Sequence, residues 1–114
     1  MHELSLTQSL LDIIEDYARK HHFEKVNSLK LSFGRLSCIE PKSLEFAFEV
    51  LSEKTRAQGA RLEFEILPVV IYCVSCEKEV EVDGYTDQCP LCMGPDVILA
   101  GGTQELKLLE LDVD

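Results

Sequence analysis

The sequence predicts an α+β fold: two helices packed on a three-stranded sheet, with a small inserted zinc-ribbon-like module built on four cysteines. Three observations carry that reading. Two stretches repeat apolar side chains every three to four residues, and three stretches alternate them every second residue. One further stretch, poor in large apolar groups, holds four cysteines in two pairs. Helices with one apolar face need a sheet to cover, and the alternating segments supply it.

The first helix is expected over residues 5–20, where Leu6, Leu10, Ile13, Ile14 and Tyr17 share a face. Ser5 and Gln8 stand at capping-box spacing, which starts the helix at Ser5 and leaves Met1 to Leu4 outside it. His21 and His22 follow the periodic segment, and imidazoles at a helix C-terminus suit its dipole without any metal. Leu29, Leu31 and Phe33 alternate with Ser28, Lys30 and Ser32 in a half-buried strand that Gly34 to Cys38 closes. Cys38 reads as a small buried hydrophobe.

Pro41 suits the first position of a second helix, with Leu44, Ala47, Phe48 and Leu51 inward. Phe46 and Val50 widen its apolar face and suggest a contact on a second side. Leu62, Phe64 and Ile66 alternate with Arg61, Glu63 and Glu65 in the next strand, which Pro68 ends or confines to an edge. The last strand spans Gln104 to Val113. Its apolar parity changes between Leu108 and Leu109, so either both faces are covered or a bulge intervenes.

Charge narrows the function. The 114 residues carry 11 basic and 21 acidic side chains, a formal net charge of -10, which is the wrong sign for a protein that neutralises phosphates. With 46% hydrophobic residues the chain can build a core. No apolar run reaches the roughly 20 residues of a membrane helix. The opening Met1-His2-Glu3 lacks the basic stretch of a secretory signal, so neither nucleic acid nor membrane is an expected partner and a cytoplasmic location is expected.

Cys73-x2-Cys76 and Cys89-x2-Cys92 are separated by twelve residues. Two residues between thiolates let a tight turn aim both sulfurs at one ion, and a second such turn completes a tetrahedron. A structural zinc is expected there, although thiolate tetrahedra also accept iron. A redox pair or disulfides explain two such pairs plus an odd fifth cysteine, Cys38, less well. No nucleophile-base constellation or glycine-rich phosphate loop can be assembled, so no catalytic residue is assigned. At the chain start, a terminal amine, backbone nitrogens and the His2 imidazole can form fused chelate rings around one ion, with Glu3 beside them. Ni(II) tolerates such nitrogen-rich geometry. The bland alternative for His2 is an unstructured terminal residue.

These motifs together give the sequence a resemblance to a known family. Met1-His2-Glu3-Leu4-Ser5, the stretch Gly34-Arg35-Leu36-Ser37-Cys38-Ile39-Glu40-Pro41 with the helix after it, the two cysteine pairs and Glu105 to Val113 resemble the HypA/HybF family of hydrogenase-maturation nickel metallochaperones. The resemblance covers essentially the whole chain. It implies His2 as principal nickel ligand, with Glu3 and the Met1 terminal amine, and Cys73, Cys76, Cys89 and Cys92 as structural zinc ligands. It further implies an α/β nickel-binding domain of residues 1–70 and 96–114, with a zinc module of residues 71–95 inserted.

Implied partners are a nickel-associated maturation GTPase and the [NiFe]-hydrogenase large subunit precursor, and some members of the family also serve urease maturation proteins. A monomer or weak homodimer is expected. Where many relatives place Gly after the second and fourth cysteines, this chain has Glu77 and Met93, with Gly94 one residue later. The second turn is therefore expected to shift its left-handed position by one. Two readings from other classes compete with a nickel carrier. One is a zinc-ribbon interaction module with no nickel role; the other is a rubredoxin-like electron carrier.

Overall fold

The structure, a computed structural model, describes residues 2–114, the side chain of His2 excepted. The elements run α1 (His2–His21), β1 (Val26–Gly34), a short 3-10 turn (Arg35–Ser37), α2 (Pro41–Leu51), β2 (Arg61–Leu67), β3 (Val69–Cys73), β4 (Lys78–Val82), β5 (Val97–Gly101) and β6 (Lys107–Val113). They divide into two compact units. One takes the chain up to Ser32, Ile39–Glu65 and Leu106–Asp114, and the other takes Phe33–Cys38 and Ile66–Glu105.

In the first unit α1 and α2 pack together, and β1 is the central strand of a three-stranded sheet in the order β2-β1-β6. The buried side of α1 is Thr7, Leu10, Leu11, Ile14 and Ala18, while the expected Ile13 and Tyr17 remain exposed. The buried positions keep the three- and four-residue spacing of one helix face, turned from the expected one so that Thr7, Leu11 and Ala18 replace Leu6, Ile13 and Tyr17. Thr7 is admitted because its Oγ1 donates to the Glu3 carbonyl at 2.7 Å.

The helix also starts earlier than the capping-box spacing implied. Ser5 lies inside it, and the Gln8 amide donates forward to Asp12 at 3.1 Å rather than back to Ser5. Glu3 in the first turn suits the helix dipole, as do Arg19, Lys20 and His21 in the last. His22 ends the helix in the left-handed region (φ 57), its N–H bonded to the Ala18 carbonyl.

Pro41 opens α2 as expected, and the Glu40 carboxylate caps it by accepting from the Lys42 N–H at 3.3 Å. Leu44, Ala47 and Phe48 are buried and Leu51 is half-buried, whereas Phe46 and Val50 face outward. Leu29, Leu31 and Phe33 of β1 are almost fully buried, each worth roughly 1.5–3 kcal/mol in transfer free energy. Arg56, in the loop between α2 and β2, ties this unit together. Its Nε donates to Glu15 at 2.9 Å and its Nη1 to the Phe23 carbonyl at 2.7 Å, while its own carbonyl accepts from Val26.

The parity change in β6 is a bulge. Lys30 pairs with Glu110 and Leu31 with Leu108, so Leu109 is the extra residue. It keeps Leu108 and Leu111 opposite the buried Leu31 and Leu29.

The second unit holds a second three-stranded sheet, in the order β4-β3-β5 and antiparallel throughout. Pro68 separates β2 from β3, as its missing donor requires. The closing turn of β1 is seated here: Gly34 N–H bonds to the Gln104 carbonyl and Leu36 N–H to the Gly102 carbonyl. The approach leaves no room for side chains, since a Cβ on Gly34 would lie 2.2 Å from the Gly102 oxygen. Among the described residues no helix is long and apolar enough to cross a membrane.

Candidate metal centre

Two turns of the same design build the site. In the first, the Glu77 N–H closes onto the Cys73 carbonyl at 2.8 Å; in the second, the Met93 N–H closes onto the Cys89 carbonyl at 2.7 Å. Each turn brings its two sulfurs to one side, and strand β3, hydrogen-bonded to β5, sets the position of Cys73. The four Sγ atoms of Cys73, Cys76, Cys89 and Cys92 all lie within 4.8 Å of one another, with Cys73 and Cys92 at 3.6 Å. Zinc bonded to sulfur at about 2.3 Å requires tetrahedron edges of about 3.8 Å, so the spacing fits.

The backbone prepares the sulfurs for negative charge. The N–H groups of Cys76, Leu91 and Gly94 point at Cys73, Cys89 and Cys92 respectively, each at 3.4 Å. Such donors favour thiolates over thiols. The metal-free thiols compete for protons. The hydrogen bond with Cys73, followed by that with Cys92 and by desolvation, pushes Cys76 up to about 12. The Cys92 amide, with the Leu91 amide, holds Cys89 down at about 7. At Cys92 the Gly94 amide acts downward, but Cys73, desolvation and Cys89 leave the thiol raised. Four thiols this close cannot all ionise without a cation, and a divalent ion resolves the conflict.

Both turns put a residue with a side chain in the left-handed region: Glu77 at φ 55 and Met93 at φ 63. The expected one-residue shift to Gly94 does not occur, because it is the Met93 N–H that must reach the Cys89 carbonyl. Cys73 and Cys89 are buried with Ile71 in a small core, against which Val80, Val82 and Val97 pack. A core of this size is small against a backbone ordering cost of about 1 kcal/mol per residue, and a metal held by the four sulfurs would add to what stabilises the unit.

Cys38 takes no part in the site. It is exposed rather than buried, because it follows the 3-10 turn in the left-handed region (φ 66), with its Sγ 3.7 Å from the Leu36 carbonyl. Among the expected nickel ligands, Met1 and the His2 side chain lie outside the described residues. His2 opens α1 and Glu3 is half-buried in its first turn. Glu3 lines a groove of about 430 Å³ with Leu4, Lys42, Ser43, Phe46 and Ala47. Sequence reasoning overlooked β3 and β5, which frame the cage. The unbroken apolar run Val69–Val70–Ile71 was the available signal for β3.

A small α+β chain whose second unit gathers four cysteine sulfurs within 4.8 Å of one another has the donor set of a metal-binding protein. Residues 1–113 match the family described as "Hydrogenase/urease nickel incorporation, metallochaperone, hypA". The chain is 57% identical over 114 residues to the hydrogenase maturation factor HypA of Syntrophus aciditrophicus, covering 100% of both chains.

Two solved structures share the fold. One is a solution structure of HypA protein (TM-score 0.70, 26% identity, 99% of this chain and 96% of that one). The other is the solution structure of the Ni metallochaperone HypA from Helicobacter pylori (TM-score 0.63, 23% identity, 97% and 96%). The chain belongs to the HypA family. It is thus a nickel metallochaperone of hydrogenase maturation, a chaperone and not an enzyme, and the reading as an interaction module without a nickel role is set aside.

Proposed function

We propose that the chain binds Ni(II) through the Met1 terminal amine, the His2 imidazole and Glu3, and passes it on during [NiFe]-hydrogenase maturation, while Cys73, Cys76, Cys89 and Cys92 hold a structural zinc. One observation supports the nickel reading above all: α1 begins at His2, so His2 and Glu3 occupy its first turn. The first four N–H groups of a helix have no intrahelical acceptor, which leaves the amides of His2 and Glu3 free for a ligand.

A cation at a helix N-terminus is opposed by the dipole. Ni(II) overcomes that by displacing amide protons, so that the donors it meets are anionic nitrogens. Such a site is acid-labile, because protons compete for the amine, the imidazole and the amides, and that lability suits cargo that must leave. Zinc on the thiolates stays, since its four soft donors are buried or half-buried except at Cys92.

In this reading the division of labour follows residues 71–95 for zinc and residues 1–70 with 96–114 for nickel. The chain works in the cytoplasm, as a monomer or weak homodimer, with a nickel-associated GTPase and the hydrogenase large subunit precursor. Urease maturation proteins are further recipients. Isothermal titration of Ni(II) into zinc-loaded protein with an untagged Met1 tests the core claim. His2→Ala should abolish the high-affinity event while leaving zinc content and the circular dichroism spectrum unchanged. Equal nickel affinity in the two proteins would sink the proposal.

A further inference from the structure

A groove of about 530 Å³ runs in the second unit from the end of β4, at Glu81, Val82 and Asp83, to the second cysteine turn, at Gln88, Pro90 and Met93. Its lining mixes carboxylates with apolar side chains. Met93 is 62% exposed, and Leu91 and Tyr85, earlier in the chain, are 59% and 71% exposed. Met93 is thus a large apolar side chain left in water on the groove wall itself. Met is also an adaptable contact for an apolar side chain.

Charge identifies what fits. From Glu77 to Asp96 six carboxylates stand against a single cation, Lys78. The ion pairs among the described residues are those of Asp16 with Arg19 and Lys20, Glu15 with Arg56, and Glu63 with Arg61, all in the other unit. Among the described residues no cation pairs with the carboxylates around the groove, and four thiolates holding a divalent ion would add two further negative charges. Such a field attracts cations and repels acidic surfaces. Strand geometry sets the shape of the ligand. β4 pairs only with β3, so its outer edge offers unpaired N–H and C=O groups to an extended chain.

We propose that this groove docks an extended lysine- or arginine-bearing segment of a partner protein, with one apolar side chain against Met93 and its cations facing Glu81 and Asp83. The inference rests on the carrier reading for why the chain should dock at all, but the groove is tested without nickel.

Fluorescence anisotropy on the full-length, zinc-loaded protein, with a short labelled peptide of lysine and alanine around one central leucine, reads the interaction. The peptide should bind at low salt and weaken as salt rises. Glu81→Lys with Asp83→Lys should weaken it at least about tenfold, whereas Glu45→Lys with Glu49→Lys on α2, an equal change in net charge, should shift it less than about twofold. Glu81→Gln with Asp83→Asn, a gentler pair, should fall between, and zinc content should stay constant throughout. A glutamate peptide should not bind, and exchanging the leucine for alanine should weaken binding.

Equal losses from the groove and α2 pairs, binding of the glutamate peptide, or no binding at low salt would each overturn the proposal. Nickel titration separates the two ideas: the groove variants should keep nickel binding, and His2→Ala should keep peptide binding. Wild-type protein that takes the peptide but no nickel would support the groove while removing the carrier reading.

Discussion

Met93→Gly should tighten zinc binding. Met93 sits at φ 63 so that its N–H can reach the Cys89 carbonyl at 2.7 Å, and the following Gly94 N–H can reach the Cys92 sulfur. For a residue with a Cβ the left-handed region costs roughly 1–2 kcal/mol, and glycine removes that cost. Glycine also loosens the unfolded chain, which gives back about 0.5–1 kcal/mol. The remainder is about 0.5–1 kcal/mol. If, as proposed, the unit folds around a zinc ion, that amount appears as zinc affinity, a factor of about two to five.

Competition against a chromogenic chelator at neutral pH measures it. Two controls fix the interpretation. Leu91→Gly, outside the positive-φ set, should weaken binding by the entropy effect alone. Gly94→Ala should also weaken it, because its Cβ would meet the Cys92 sulfur at 3.3 Å. A folded Met93→Gly protein with unchanged or weaker zinc affinity would refute the strain argument.

Other consequences are as direct. Cys73→Ser, at a fully buried ligand, should release zinc and open residues 71–95 to proteolysis, while a helical circular dichroism signal from α1 and α2 persists. Zinc binding must displace the protons of Cys76, which sits at about 12, and of the raised Cys92 thiol, and part of that from Cys89, at about 7. Apparent affinity should therefore fall as pH falls through 7, with proton release visible as a buffer-dependent calorimetric enthalpy. Gly34→Ala should cost more than about 2 kcal/mol in chemical denaturation, since its Cβ would collide with backbone and neither chain segment can yield.

The sequence disclosed the parts whose periodicity and chemistry agree. Leu29–Leu31–Phe33 marks β1, Pro41 marks the start of α2, and the four cysteines mark the cage, because each pattern has one cheap structural solution. The Leu108–Leu109 parity change was legible as a bulge or a doubly covered strand, and pairing decided for the bulge. The start of α1 was misplaced because Ser5 and Gln8 imitate a cap that a continuous helix overrides.

The apolar residues of α1 fit two adjoining faces, and hydrophobicity alone did not say that the one holding Thr7, Leu11 and Ala18 turns inward while Ile13 and Tyr17 stay out. β5 was hidden because Ile98 and Leu99 remain exposed and give no alternation. Cys38 depended on a backbone dihedral at the end of a 3-10 turn, which composition does not report.

The extra residue in β6 bears on how the molecule behaves in a crowded cell. Deleting Leu109 would leave Leu108, Leu111 and Val113 in strict alternation with Glu110 and Asp112. It would also straighten a strand that has a neighbour on one side only. A straight rim invites copies to zip together, and a kinked one does not. The insertion thus guards an open rim against edge-to-edge pairing with other copies.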